Sequence, residues 1–308
     1  MQAEIEAILK NRNYEFKSFI NKGAFGCCYL VKSLKYNTDF VCKCSFDNEY
    51  NKSFSTSYDR EVKALLQLSH PNIVRVYDIF TEGNYLFLIM EYCSGGSLQH
   101  LIDHSKPTDK METKIKYVHE IIEAINYMHE RGFAHCDIKP SNILIDQFGR
   151  AKLADFGLTH FVGSSGQDAK ITYGGSFSYM SPELLKYRKC DPFKADVWAF
   201  GVTIYTLFGK HHPFRGKTME TIICQMQAGI IPLKNIPHDL SNIIDGCLKY
   251  KPNERMTISQ IKEEFPTQIK KSASQSSSKY NHRMLIRSTC QTIFSPGGLK
   301  RVSNSSVY

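Results

Sequence analysis

Phe133-Ala134-His135-Cys136-Asp137-Ile138-Lys139-Pro140-Ser141-Asn142, followed by an apolar run and then Asp155-Phe156-Gly157, is the stretch that decides how this 308-residue chain is read. Two acids and an amide stand in fixed order on two loops. Ile143 to Asp146 and Ala151 to Ala154 read as strands, with Gln147-Phe148-Gly149-Arg150 as the turn between them. Such a hairpin holds its flanking loops side by side, so Asp137, Asn142 and Asp155 are expected to converge. Phosphoryl transfer needs that arrangement: one carboxylate to meet the attacking hydroxyl, and two oxygen ligands to hold Mg²⁺ on the phosphates.

Upstream, Ile20-Asn21-Lys22-Gly23-Ala24-Phe25-Gly26-Cys27-Cys28-Tyr29-Leu30-Val31 reads as two strands around a glycine-bearing turn. Glycines let backbone N–H groups approach phosphates without side chains in the way. Phe40-Val41-Cys42-Lys43-Cys44 is a strand; alternation puts Val41 and Lys43 on one face and Cys42 and Cys44 on the other. Residues 57–68 form a helix candidate carrying Glu61 in its middle, and His70-Pro71-Asn72-Ile73-Val74 ends that helix and opens a strand. Tyr85 to Met90 is an apolar strand running into Glu91-Tyr92-Cys93-Ser94-Gly95-Gly96. Residues 111–131 are a long amphipathic helix with Ile115, Val118, Ile121, Ile122, Ile125 and Met128 on one side; its His119 and His129 read as surface or packing residues. A short helix over residues 1–12, with Ile5, Ile8 and Leu9 on one face, reads as a packing or frayed element.

The ordered set resembles the eukaryotic protein kinase family, of serine/threonine type. The late strings strengthen the likeness: Gly175-Ser176-Phe177-Ser178-Tyr179-Met180-Ser181-Pro182-Glu183, then Asp196-Val197-Trp198-Ala199-Phe200-Gly201, then Arg255, which matches the family arginine that pairs with Glu183. The resemblance implies an α+β, bilobal protein kinase fold: a small β-rich N-lobe over residues 14–90, a hinge at 91–96 and a larger α-helical C-lobe over 97–265, after an N-terminal extension at 1–13. It implies ATP and Mg²⁺ as cofactors. By motif position, Asn21, Gly23 and Gly26 cover the phosphates, and Lys43, held by Glu61, grips them. Cys28, Val41 and Leu144 sandwich the adenine, beside Met90 as gatekeeper, and the backbone at Glu91 and Cys93 bonds its edge. Asn142 and Asp155 hold the metal, Asp137 accepts the substrate proton, and Lys139 neutralises the transferred group. Asp196 holds the catalytic-loop backbone. The lysine of Asp137-Ile138-Lys139-Pro140 is the mark of serine/threonine kinases.

This chain also departs from the family. Asn21 replaces the first loop glycine, Cys28 the valine, and Cys136 the arginine that receives the activation-segment phosphate. The last change implies activity that needs no phosphate on Thr172, Tyr173 or Ser176. His135 to Asn142 also resembles Wee-type kinases acting on cyclin-dependent kinase, although Asp155-Phe156-Gly157 and Ser181-Pro182-Glu183 differ from that pattern. A catalytically weak pseudokinase scaffold is the other alternative, against which stand intact Lys43, Glu61, Asp137, Asn142 and Asp155.

Composition agrees with such an enzyme. Hydrophobic residues make up 42% of the chain, no run of 18 apolar residues occurs, and no apolar signal core opens it. The ten cysteines include no C-x-x-C pair, which favours reduced thiols, a cytoplasmic or nuclear location and inert packing roles around the cleft. The net charge of +9 is concentrated at one end: residues 266–308 hold seven Lys or Arg and no acid, whereas the other 32 basic and 30 acidic residues nearly balance. Neither a nucleic-acid face nor a membrane face is expected. The tail reads as disordered and Ser-rich, open to a regulatory partner. The remaining expectations are a monomer and protein substrates with Ser/Thr acceptors.

Overall fold

Period-two patterning builds five antiparallel strands, β1 (Tyr14–Gly23), β2 (Gly26–Ser33), β3 (Thr38–Phe46), β4 (Val76–Glu82) and β5 (Tyr85–Glu91), in the spatial order β1-β2-β3-β5-β4. The computed structural model describes residues 2–23, 26–46, 67–106, 110–162, 176–230, 233–234 and 236–265. One sheet face carries Tyr29, Val31, Phe40, Cys42, Cys44, Phe87 and Ile89 into a small core. Helix α1 (Gln2–Asn11) closes that core with Ile5 and Leu9, and the Tyr85 hydroxyl donates to the Glu4 carboxylate at 3.0 Å. The packing role expected of this helix is therefore what the structure shows. The opposite sheet face carries Val41 and Lys43 towards the second lobe.

That lobe is helical. Its short elements are α2 (Leu98–Asp103), the strand pair β6 (Phe133–Ala134) and β9 (His160–Phe161), and the hairpin β7 (Ile143–Ile145) and β8 (Ala151–Leu153). Its helices are α3 (Met111–Glu130), α4 (Pro182–Tyr187), α5 (Pro192–Gly209), α6 (Met219–Ala228), α7 (His238–Cys247) and α8 (Ile258–Glu264). The expected apolar face of α3, from Ile115 to Met128, is buried. Helix α5 is apolar on nearly every side and lies at the centre of the lobe, as such a helix must. Its start is fixed by Asp191, which accepts from the Phe193 and Lys194 amides, and by Pro192 at the first helical position. No helix among the described residues is long and apolar enough to cross a membrane.

The hairpin runs one residue past each strand end, as expected: the Asp146 amide donates to Arg150 O and the Ala154 amide to Asn142 O, both in the register of β7 and β8, while Asp146 Oδ1 accepts from the Phe148 and Arg150 amides and builds the turn. His70 to Val74 does not open a strand of the sheet. It pairs instead with β8: the Leu153 amide donates to Asn72 O, the Val74 amide donates to Leu153 O, and Asn72 Nδ2 donates to Ala151 O at 2.9 Å. This seam joins the two lobes behind the cleft. Of the helix expected over 57–68, residues 57–66, with Glu61, lie outside the described residues, as do Ala24 and Phe25, residues 163–175 and the tail from 266.

Candidate active site

The expected convergence of Asp137, Asn142 and Asp155 is present. Asn142 stands in a 3-10 turn (Pro140–Asn142), and its Nδ2 donates to Asp137 O at 2.9 Å and to Asp137 Oδ2 at 2.8 Å. Because the Ala154 amide bonds the Asn142 carbonyl, the residue before Asp155 is tied directly to the catalytic loop. Lys139 Nζ donates to Asp137 Oδ2 at 2.6 Å and to Ser176 Oγ at 2.9 Å, while the Ser176 amide reaches Asp137 Oδ1 at 3.4 Å. Asp137 is thus held by donors from three residues, Lys139, Asn142 and Ser176.

Asp155 adopts φ 63°, a left-handed conformation that a side chain accepts only under constraint. Its carboxylate pairs with Lys43 Nζ at 3.3 Å, and Lys43 is itself nearly buried. Enclosure by protein pushes the Asp155 carboxyl up, but the attraction of Lys43, His135 and Lys139 outweighs it and holds the group below the usual carboxylate range. Asp155 is therefore ionised at neutral pH. Asn142 is committed through its nitrogen, which leaves its side-chain oxygen, and with it the ionised Asp155 carboxylate, as hard oxygen donors of the kind Mg²⁺ takes. The chain's own residues fit the metal the resemblance implies.

The loop that carries Asp137 is held from below by Asp196 in the second turn of α5. Its two oxygens accept from the His135 amide at 2.7 Å and the Cys136 amide at 2.8 Å. Cys136, like Asp155, is left-handed, with φ 64°. The carboxylate fixes this strained backbone in place. A third donor was not visible in the sequence: His129 Nε2 contacts Asp196 Oδ2 at 2.9 Å. His129 is thus more than a packing residue, while His119 packs on the Phe265 ring and lies 3.7 Å from Glu123. His135 is fully buried; its Nδ1 accepts from the Asp137 amide and its Nε2 faces the Ala154 carbonyl at 3.1 Å.

Where the resemblance implies the adenine, Val41 pairs in register with Met90, and Cys28 with Lys43. Directly opposed residues share a face, so Cys28, Val41 and Lys43 all look into the cleft. Leu144 and Met90 pack with Val74, Cys93 and Ala154 in a small separate cluster. Val74 and Ala154 are therefore cleft residues that the sequence did not single out. The Glu91 amide donates to Arg75 O, and its carboxylate pairs with buried Lys152 at 2.8 Å, which fixes the start of the hinge. Burial pushes the Cys93 thiol up to about 12, with Glu91 adding to the effect, so this thiol is a packing group. Asn21 pairs with Cys28, and Gly23 with Gly26, at the end of the β1–β2 hairpin. Glu61 cannot be placed among the described residues.

The far wall is secured by Arg255. Its guanidinium meets both Glu183 oxygens at 2.6 Å and also bonds the carbonyls of Lys249, Tyr250 and Lys194. Replacing Arg255 by Ala leaves the Glu183 carboxylate buried and unpaired and is expected to cost about 3–5 kcal/mol. Denaturant titration measures this, and a loss below about 1 kcal/mol would show that the pair is dispensable.

Comparison with known proteins gives a consistent picture. The model described as "Protein kinase domain" matches residues 14–265. Among curated relatives, CBL-interacting serine/threonine-protein kinase 15 of Arabidopsis thaliana is 28% identical over 251 residues, covering 80% of this chain and 59% of that protein. CBL-interacting serine/threonine-protein kinase 18 of the same plant is 29% identical, covering 80% of this chain and 48% of its own length. CBL-interacting protein kinase 5 of Oryza sativa subsp. japonica is 29% identical over 261 residues, covering 83% of this chain and 56% of that protein. The chain spans about half the length of the curated relatives it matches.

Proposed function

The chain belongs to the protein kinase family, and from that premise we propose that it transfers the γ-phosphoryl group of ATP to serine and threonine hydroxyls of other proteins. The observation that supports this is a pair of bonded groups, Asp137 with Lys139 and Asn142, and Asp155 with Lys43, tied together by the Ala154 amide on the Asn142 carbonyl. Lys43 orients the phosphates from the floor of the cleft. Asp137 accepts the hydroxyl proton as the hydroxyl attacks in line, and Lys139 offsets charge on the group in transit. When bound between Asn142 and Asp155, Mg²⁺ supplies charge neutralisation on the phosphates. Glu61 is proposed to hold Lys43, the backbone at Gly23 and Gly26 to cover the phosphates, and Cys28, Val41 and Leu144 to enclose the base. An arrayed Ser/Thr/Tyr peptide library tests the residue class. Transfer confined to serine and threonine is expected, and transfer to tyrosine alone would reverse the assignment.

We also propose that this activity does not wait for a phosphate on the activation segment. Lys139 and Asp137 already engage Ser176 without one. Cys136 offers only a thiol, which points to the Ala134 carbonyl at 3.7 Å. Among the described residues, the lining of a void of about 30 Å³ beside Cys136, Ser176 and Tyr179 holds no arginine, and the lysine nearby, Lys139, already bonds Ser176 Oγ. Thr172→Ala is expected to retain the wild-type rate within about twofold, since no phosphate-dependent contact is lost. A fall of tenfold or more in initial rate, about 1.4 kcal/mol of barrier, would contradict this.

Protein substrates follow from the reaction, and a regulatory partner for the 266–308 tail, a cytoplasmic or nuclear location and a monomeric state are part of the same proposal. Several relatives are named for an interaction with CBL. Only their serine/threonine kinase character supports the reading given to this chain.

A further inference from the structure

Strand register brings two thiols together where the sequence favoured inert packing over a redox switch. In the β2–β3 ladder Cys27 is directly opposite Cys44. Residues opposed in an antiparallel ladder point to the same face, and here that is the outer face under α1. Cys44 belongs to the core there, and Cys27 packs against it. Depending on its place in the hydrogen-bond alternation, such a pair has its Cα atoms about 4.5 or 5.5 Å apart. Both distances fall within the range of about 4.4–6.8 Å that a disulfide accepts. Both thiols are free. The other cysteines nearby are placed differently: Cys28 opposes Lys43 on the cleft face, and Cys42 opposes Tyr29.

We propose that Cys27 and Cys44 are a redox modification site, joined by peroxide into a reversible cross-strand disulfide that clasps the phosphate-covering hairpin to the Lys43 strand. Cys27 is the more accessible partner, whereas Cys44 is 4% exposed. Hydrogen peroxide therefore meets Cys27 first. Its sulfur attacks one peroxide oxygen, the O–O bond breaks, and the products are a sulfenic acid and water. The Cys44 sulfur then attacks the Cys27 sulfur; the S–S bond forms, the S–O bond breaks, and the departing hydroxide leaves with the Cys44 proton as water. In sum, two thiols and one peroxide give one disulfide and two waters. Burial pushes the Cys44 thiol up to about 12, with Cys27, Cys28 and Glu4 adding to the effect, which keeps it out of the first step; it enters the second only because strand register holds the Cys27 sulfur opposite it.

The position of the bond determines its effect. Cys27 follows Gly26, whose φ is 144° and whose Cα lies so near the Cys44 carbonyl that an added Cβ would overlap it. The base of the hairpin thus already rests on the strand next to Lys43. A covalent tie at this point draws the two strands together and fixes the spacing between the loop and the lysine. Shifts of about 1 Å in groups that position a substrate are worth up to about 10²-fold.

The effect on nucleotide rests on the kinase reading; the linkage itself does not. The test uses the full chain before and after hydrogen peroxide, with non-reducing tryptic mapping and an ATP dissociation constant. Cleavage after Lys22, Lys32, Lys43 and Lys52 separates Cys27 from Cys44, and Cys44 from Cys42. Fragmentation then distinguishes Cys27 from Cys28. Wild type and Cys224→Ala, an exposed cysteine remote in sequence, are expected to give the Cys27–Cys44 linkage and an ATP dissociation constant raised about tenfold, reversed by dithiothreitol. Cys27→Ala, at a partly exposed position that tolerates a smaller side chain, is expected to show neither change. Cys27 recovered unlinked, linked to another cysteine, or linked with no change in affinity would overturn the proposal. A chain that forms the linkage yet binds no ATP even when reduced contradicts the kinase reading and supports the thiol pair alone.

Discussion

Asp137→Asn is expected to lower the rate of phosphoryl transfer by about 10²–10⁴-fold while leaving ATP affinity within about twofold. Asparagine keeps the shape of aspartate and can still accept from Lys139 and Asn142, so the loop is retained. What it loses is the basic oxygen that takes the hydroxyl proton. Lys43, proposed to hold the phosphates, pairs with Asp155, whereas Asp137 bonds Lys139 and Asn142. The loss should therefore fall on turnover and not on nucleotide binding. Isothermal titration and initial rates on the same preparation separate the two. Equal losses in affinity and rate would mean that Asp137 has a structural role and that the proton is accepted elsewhere.

The second large effect is on stability. Asp196→Ala removes the acceptor for the His135 amide, the Cys136 amide and His129 Nε2. Each of the three donors left without a partner costs about 1–3 kcal/mol when fully buried, and because Cys136 is only partly buried a total towards the lower end, about 3–5 kcal/mol, is expected. That is a large part of the about 5–15 kcal/mol that holds a typical domain together. The melting midpoint should fall by about 10 °C. Any molecules that remain folded should transfer phosphate poorly, because Cys136 then has no carboxylate to hold it at φ 64° and Asp137 follows directly in the chain. Asp196→Asn keeps one acceptor and should show a smaller loss. A drop below about 1 kcal/mol for Asp196→Ala would mean that the loop keeps its shape by packing alone.

How far the sequence could be read depended on whether the deciding contact was local. Asp137, Lys139 and Asn142 lie within six consecutive positions, so their mutual bonding could be foreseen from spacing, as could the face shared by Val41 and Lys43. The hairpin that brings Asp155 alongside was legible because its two strands are adjacent in sequence. His129 was not, because its meaning depends on Asp196, which is 67 positions away on a different helix. Val74 joined the cleft only because Asn72 and Val74 bond β8 across the lobes, and no local periodicity signals that seam. The Cys27–Cys44 pair depended on strand register, which a one-residue slip in the β2–β3 hairpin would have abolished by turning one thiol to the other face.

The most direct measurement of the central claim is transfer of labelled γ-phosphate from ATP, with Mg²⁺, to a serine/threonine peptide by the phosphatase-treated full chain, beside Asp137→Asn prepared in the same way. The predicted result is transfer by the wild type from the first time point, with no lag for self-phosphorylation, and loss of that transfer in the variant. ATP binding with no transfer above the variant would contradict it and would make the same fold a nucleotide-binding scaffold.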